Sequence, residues 1–253
     1  MKYEAKPLQK GIPHRRSREC GAGWSMRSED LWPILIRSNS RGLKIQINPP
    51  CNQRLINLIF VRMNKLYIIA GPNGAGKTTA SYTILPEIFD CKEFVNADEI
   101  AKGISPFNQE SVAIKAGKIM LQRIDELLEN NVSFAFETTL SSKSYAPLIK
   151  EIQTKEYEVI LLFLLLDSAD LAVQRVKTRV AEGGHHIPED VIRRRFEKGL
   201  NNLFNLYIPI VDKWILVNNS EEGFTIISEG TKDETVIKNQ LIWNNLKQKY
   251  DGN

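Results

Sequence analysis

The residues best suited to chemistry lie in one stretch, Gly71-Pro-Asn-Gly-Ala-Gly-Lys-Thr78, which satisfies G-x-x-x-x-G-K-[ST] in full. Its glycines let the backbone take conformations closed to other residues and approach an anion closely. Successive backbone N–H groups then point at phosphate oxygens. A helix starting near Lys77 adds the partial positive charge of its N-terminus. Lys77 would reach the β- and γ-phosphates, and the Thr78 hydroxyl would ligate Mg²⁺. Gly71, Pro72, Asn73, Gly74, Ala75, Gly76, Lys77, Thr78 and Thr79 therefore form the expected nucleotide-binding set. These residues imply a bound nucleoside triphosphate, and the fate of its γ-phosphate must be read elsewhere.

Further candidates sit where apolar runs end. Asp98 follows Phe94-Val95-Asn96, and a carboxylate at the rim of a site can take a proton from a substrate hydroxyl. The alternative is a helix N-cap for the turn beginning at Glu99. Glu137 closes Ser133–Phe136; it could hold Mg²⁺ through water, bind substrate hydroxyls, or be a solvated strand end. Thr138 and Thr139 would add hydroxyl contacts. Arg175 and Arg179 are four apart and share a helical face. Arg193, Arg194 and Arg195 lie on the next helix, beyond Gly183-Gly184. Two arginine-bearing helices across a glycine joint suit a lid that closes over a triphosphate and neutralises its developing charge. Three consecutive arginines cannot all face one site, and Arg179 and Arg194 are the favoured pair, with Arg195 next. A solvated helix surface is the alternative. His185 and His186 read as hinge residues, and Asn218-Asn219-Ser220 as either a contact to adenine or a plain turn.

The elements that must position these residues alternate. Strands are expected at Leu66–Ala70, Phe94–Asn96, Ser133–Phe136, Glu158–Leu166 and Trp214–Val217, with a sixth at Phe224–Ser228. Helices are expected from about Lys77 to Leu85, over Ser111–Asn130 and Ser144–Lys155, and from Asp167 or Ser168 to about Glu182. Two more run from Pro188 to about Leu206 and over Val236–Tyr250. Ile104–Asn108 reads as a loop. Strands alternating with helices imply a parallel sheet with right-handed crossovers, whose ligands bind at the carboxyl ends of the strands. The expected fold is a three-layer α/β/α sandwich of the P-loop NTPase kind, its central sheet mostly parallel with about five strands, with a helical lid.

A chain of 253 residues with 42% hydrophobic and 25% charged residues suits one α/β domain. Three cysteines without C-x-x-C spacing give neither a disulfide framework nor a zinc pattern, which favours a reducing cytoplasmic setting. The longest apolar run, Ile160–Leu166, is too short to span a bilayer. The net charge of +4 conceals an asymmetry: residues 1–62 hold 12 Lys and Arg against 4 Asp and Glu, the remainder 22 against 26. A basic head could be a nucleic-acid arm or an organellar transit peptide, although serine richness and a sustained amphipathic helix are lacking. The reading preferred here is a poorly ordered extension, with the kinase-like domain at 63–253 and Met63 as the true start.

The ordered set Gly71–Thr79, Asn96-Ala-Asp98, Phe136-Glu-Thr-Thr139, Arg175-Val176 with Arg179, Gly183-Gly-His185 with Ile187-Pro-Glu189, and Ile192 to Phe196 resembles the zeta-toxin-type P-loop kinases. More narrowly it is similar to their bacterial branch often labelled predicted ABC-type ATPases. The resemblance covers about residues 63–230. It implies a five-stranded kinase core, Lys77 on the phosphates, Asp98 as general base and lid arginines from the Arg179 and Arg194 region. It also implies ATP and Mg²⁺ as cofactors, a small-molecule hydroxyl as acceptor and a small antitoxin as partner, since zeta toxins phosphorylate the 3′-hydroxyl of the amino sugar in UDP-N-acetylglucosamine. The Gly-Gly-His lid and its arginine-rich helix depart from the well-studied toxins. No L-S-G-G-Q signature supports an ABC ATPase, and no N-K-x-D box supports a GTPase. The alternatives are a kinase of nucleic-acid ends and a slow ATPase acting as a regulatory module.

Overall fold

The structure, a computed structural model, describes residues 63–221 and 223–252. The expectations for residues 1–62 lie outside the described residues. Strand β1 (Lys65–Ala70) is buried on both faces from its second residue onward, as a central parallel strand requires. It leads through the glycine-rich loop into α1 (Lys77–Glu87). Next come β2 (Glu93–Val95), α2 (Ala97–Ile104), a 3₁₀ turn (Glu110–Val112) and α3 (Ala113–Glu129). β3 (Phe134–Thr138), α4 (Tyr145–Thr154), β4 (Glu158–Leu165), α5 (Ala169–Ala181) and α6 (Glu189–Asn202) follow. A π-helical turn (Leu203–Tyr207), β5 (Lys213–Asn218), β6 (Thr225–Thr231), β7 (Thr235–Ile237) and α7 (Gln240–Tyr250) complete the described chain.

Among the described residues one sheet forms, in the order β2-β3-β1-β4-β5-β6-β7. Strands β1 to β5 pair in parallel, and β6 and β7 antiparallel. The sheet thus has seven strands where about five were expected. The sixth, expected at Phe224–Ser228, is β6; with the unforeseen β7 it forms a hairpin beyond β5, rich in β-branched residues and closed by a hydrogen bond from Thr231 N to Glu234 O at 2.8 Å. The same hairpin corrects the last helix. Thr235-Val-Ile237 pairs as β7, and α7 begins only at Gln240, where the Asn239 side chain accepts from Ile242 N at 3.1 Å.

A second correction concerns residues 97–104, which carried no helix in the sequence reading. They form α2, whose N-cap is Asn96, with its side-chain oxygen accepting from Asp98 N and Glu99 N, a strong starting signal. A third is that β3 runs on through Thr138, so Glu137 and Thr138 are strand residues rather than loop.

β1 lies between β3 and β4. The chain therefore crosses from one side of β1 to the other, which makes the carboxyl end of β1 the switch point where α/β sheets bind ligands. The core on both sides of it is apolar and fully buried: Leu66, Ile68, Phe134, Phe136, Leu161 and Phe163 are at most 1% exposed.

Helix α6 is drawn tightly onto the end of β3. A Cβ at Gly199 would lie 2.5 Å from Thr139 O, and the next turn donates from Asn202 Nδ2 to Leu140 O at 2.8 Å. Leu140 is fully buried and has a φ of 54°, a left-handed conformation uncommon for a branched side chain. Gly199→Ala is therefore expected to force helix and strand end apart. The cost of such overpacking is about 1–3 kcal/mol, read as a fall of several degrees in Tm.

Candidate active site

The site is assembled from the ends of β1, β2 and β3. After β1, Gly71 has a φ of 142°, and a Cβ there would lie 2.3 Å from Leu164 O of β4. Only glycine lets the loop leave the sheet at this point. The loop closes on itself through Ala75 N to Pro72 O at 3.2 Å. No side chain caps α1, so its first N–H groups face the loop's concavity, where an anion would satisfy them.

Lys77 is buried, donating to Pro72 O at 3.0 Å and lying 3.6 Å from Glu137 Oε1. The Thr78 hydroxyl donates to Glu137 Oε2 at 2.7 Å. Asn96 Nδ2 donates to the same Oε2 at 2.8 Å and approaches Thr78 Oγ1 at 3.4 Å. A lysine and a threonine of α1, a glutamate of β3 and the asparagine that caps α2 thus share one hydrogen-bonded cluster at the switch point.

Asn96 has two jobs. Its oxygen caps α2 while its amide N–H₂ group ties that cap to Glu137. Asp98 does not serve as the cap, the alternative weighed from sequence. It lies exposed on the first turn of α2, and its charge is felt both at Lys77 and at the Tyr145 hydroxyl. Thr138 accepts from Leu140 N at 3.1 Å. Tyr145 stacks on Phe136 with ring centroids 5.0 Å apart. Burial first, and then the Asp98 carboxylate, raise the Tyr145 hydroxyl above its ordinary range, while its hydrogen bond with Thr138 acts the other way. Asp98 thus lies near both Lys77 and the Thr138–Tyr145 pair. Thr79 is exposed on α1.

The arginines divide. Arg175 is half-buried and donates to Asn219 O and Ser220 O, each at 2.7 Å. Asn219 Nδ2 in turn donates to Ala75 O at 2.8 Å, and Asn218 Nδ2 to Asp167 Oδ1 at 2.9 Å. Asn219 thus braces the phosphate loop from the end of β5. Arg179 is exposed and donates to His185 O at 3.0 Å, so the Gly183-Gly184 segment folds back onto it. Arg193 is held by Asp170 at 2.6 Å and Glu189 at 2.8 Å. The inner stripe of α6 is Ile192, Phe196 and Gly199. Helical phase places Arg194 opposite that stripe, where it is exposed, and Arg195 beside it, where it is half-buried. Of the three, Arg193 and Arg195 flank the packed face and Arg194 points away from it.

The donor set fits Mg²⁺. The Thr78 hydroxyl and Glu137 carboxylate adjoin, and no group of three or more His, Cys, Asp or Glu side chains suited to a metal occurs among the described residues. Mg²⁺ is commonly held this way, by one or two protein oxygens with waters and substrate phosphates completing the octahedron.

Lys77 carries a testable consequence. Burial lowers its affinity for a proton, and the opposing pull of Glu137 and Asp98 only partly restores it. The unfolded chain then binds more protons than the folded one between the lowered value and 10.5, so the unliganded protein gains stability as pH rises through that window. Below it, the penalty is fully present. Urea unfolding at neutral and alkaline pH should show this gain in the wild type and its absence in Lys77→Met, whereas triphosphate affinity should fall over the same window.

Of the residues singled out from sequence, Lys77 and Thr78 of the phosphate loop meet Glu137 in one cluster, with the Asp98 charge felt at Lys77. Sequence reasoning missed the linking role of Asn96, which an asparagine directly before Ala-Asp-Glu signals as a helix cap, and the place of Tyr145, for which the sequence carries no signal.

Comparison with known proteins bears on the family and the fold. The family model described as Zeta toxin matches residues 61–222. An uncharacterized protein of Haemophilus influenzae is 28% identical over 138 residues, which make up 54% of this chain and 96% of that protein. Among solved structures, the AvrRxo1-ORF1:AvrRxo1-ORF2 complex with sulphate ions is similar with a TM-score of 0.59 at 15% identity, over 73% of this chain and 63% of that one. The chain thus spans less than two thirds of that structure's length. A structure from the PezAT chromosomal toxin–antitoxin system of Streptococcus pneumoniae is similar with a TM-score of 0.55 at 15% identity, over 89% of this chain and 88% of that one. At such identities the structural likenesses speak to the fold alone.

Proposed function

Because this chain belongs to the zeta toxin family, we propose that it is an ATP- and Mg²⁺-dependent kinase that transfers the γ-phosphoryl group to a hydroxyl of a small molecule, with a UDP-amino sugar as the first candidate. The observation that carries this reading is the shared cluster of Lys77, Thr78, Asn96 and Glu137 at the carboxyl ends of β1 to β3, with Asp98 on the turn that Asn96 caps. In the proposed reaction the acceptor O–H proton passes to the Asp98 carboxylate as the hydroxyl oxygen bonds to the γ-phosphorus. The bond from that phosphorus to the β,γ-bridging oxygen breaks, and ADP leaves. Lys77 turns from Pro72 O and Glu137 to the β- and γ-phosphates. Thr78 and Glu137 would hold Mg²⁺, which supplies charge neutralisation across the phosphates. Arg179 and the α6 arginines would neutralise the transferring group when the lid closes.

The reading extends to residues 63–253 as the kinase domain, a cytoplasmic setting, and a small antitoxin protein as partner, a role the likeness to the PezAT system supports. No helix of the described residues is long and apolar enough to cross a membrane. The test is γ-labelled ATP incubated with the full chain and a panel of UDP-sugars, nucleosides and aminoglycosides, with products identified by mass. A labelled sugar nucleotide is expected. Release of inorganic phosphate alone, at one rate whatever is added, would leave a slow ATPase instead.

A further inference from the structure

Pro72 O and Ala75 O of the phosphate loop each accept a hydrogen bond, yet one buried side-chain acceptor in the loop accepts none. Asn73 is 4% exposed, and its Oδ1 has no hydrogen-bond partner. Buried polar atoms without a partner are few in native structures and costly to keep. A bound triphosphate would not satisfy this one, because its oxygens accept hydrogen bonds at neutral pH and do not donate them. Lys77, the loop's own cation, is engaged by Pro72 O and the Glu137 carboxylate, and turns to phosphate when nucleotide binds. A donor from outside the loop would satisfy that acceptor.

Helix α5 is the element packed over it. A Cβ on neighbouring Gly74 would lie 2.9 Å from Ala172 O and 3.1 Å from Arg175 Cβ. Arg175 is committed to Asn219 O and Ser220 O. Arg179 lies one turn further along the same face. It is exposed and donates through Nη2 to His185 O at 3.0 Å, whereas a guanidinium offers five N–H donors in a fixed fork. Its charge already reaches the Lys77 ammonium.

We propose that Asn73 is a positioning residue whose side-chain oxygen accepts a hydrogen bond from the Arg179 guanidinium once nucleotide is bound, holding that arginine against the γ-phosphate. The resting contact to His185 O is the position Arg179 leaves. Asn73 then contributes through Arg179 and makes no phosphate contact with its side chain. This inference rests on the kinase reading for its place in the reaction, but its test requires no turnover.

The experiment is a double-mutant cycle on the full chain, read as affinity for a non-hydrolysable ATP analogue with Mg²⁺. Asn73→Ala and Arg179→Ala are each expected to weaken binding by about 10- to 100-fold, the range for a hydrogen bond to a charged group. The double variant should be no weaker than Arg179→Ala alone, because the two residues act as one unit. Asn73→Asp keeps an acceptor at the same place and should keep the dependence on Arg179; it carries the test where Asn73→Ala does not fold, as judged by thermal denaturation without ligand. Additive losses in the double variant overturn the proposal. So does a loss of binding in Asn73→Asp that is indifferent to Arg179, which would make Asn73 a donor to phosphate. A coupled pair in a protein that phosphorylates no acceptor would instead overturn the kinase reading and leave this inference standing.

Discussion

An Asp98→Asn variant is expected to bind ATP with near wild-type affinity and to transfer the phosphoryl group about 10²- to 10⁴-fold more slowly, the usual contribution of a positioned base. The separation follows from where the residue stands. Asp98 is exposed on the first turn of α2 and makes none of the hydrogen bonds that shape the phosphate loop. Its backbone N–H, not its carboxylate, is what Asn96 holds. Asparagine is isosteric and suits the first turn, so fold and nucleotide pocket stay as they are. What is lost is a carboxylate able to take the acceptor's proton. Single-turnover transfer with ATP affinity measured in parallel checks this, and transfer at the wild-type rate would remove Asp98 from the reaction.

Glu137→Gln should damage a different step. The carboxylate accepts from Thr78 and Asn96 and balances the buried Lys77 ammonium at 3.6 Å. A glutamine can keep one acceptor oxygen for Thr78 but brings no charge to a divalent cation or to Lys77. The expected result is a rise of about 10- to 100-fold in the Mg²⁺ concentration for half-maximal activity, as when a supporting ligand is lost. Transfer at saturating Mg²⁺ should fall by about 10²- to 10³-fold, the scale for one lost electrostatic group in a preorganised site. A Mg²⁺ titration of activity distinguishes the two effects. An unchanged Mg²⁺ requirement would reassign Glu137 to the acceptor's hydroxyls.

Much of this architecture was legible from residue types. The run Leu66–Ala70 before the glycines and the run Glu158–Leu166 are apolar on both faces, which only a buried parallel strand requires, and both became central strands. Asp167 or Ser168 was expected to open α5, and Ser168 caps it, accepting from Leu171 N at 3.1 Å. The failures have physical causes. Helix α2 has eight residues and buries only Ala101, so it shows too little apolar face to be read by period. Thr235-Val-Ile237 is short enough that only its partner β6 decides its state, a contact that local sequence does not contain. The order of Arg194 before Arg195 had no physical ground in the sequence, since three adjacent arginines are alike in type. The stripe Ile192, Phe196 and Gly199 distinguishes them only once the packed face is known.

The outermost strands of the described sheet are both three residues long, Glu93–Val95 on one margin and Thr235–Ile237 on the other. So little open backbone offers a poor template for a foreign strand, and the sheet resists lengthening into ladders with neighbouring molecules. A protein that recognises this chain would then have to read side chains on helices and connecting turns rather than extend the ribbon. Recognition of that kind is tuned by point substitutions, so closely related chains could come to hold separate partners without altering the scaffold beneath.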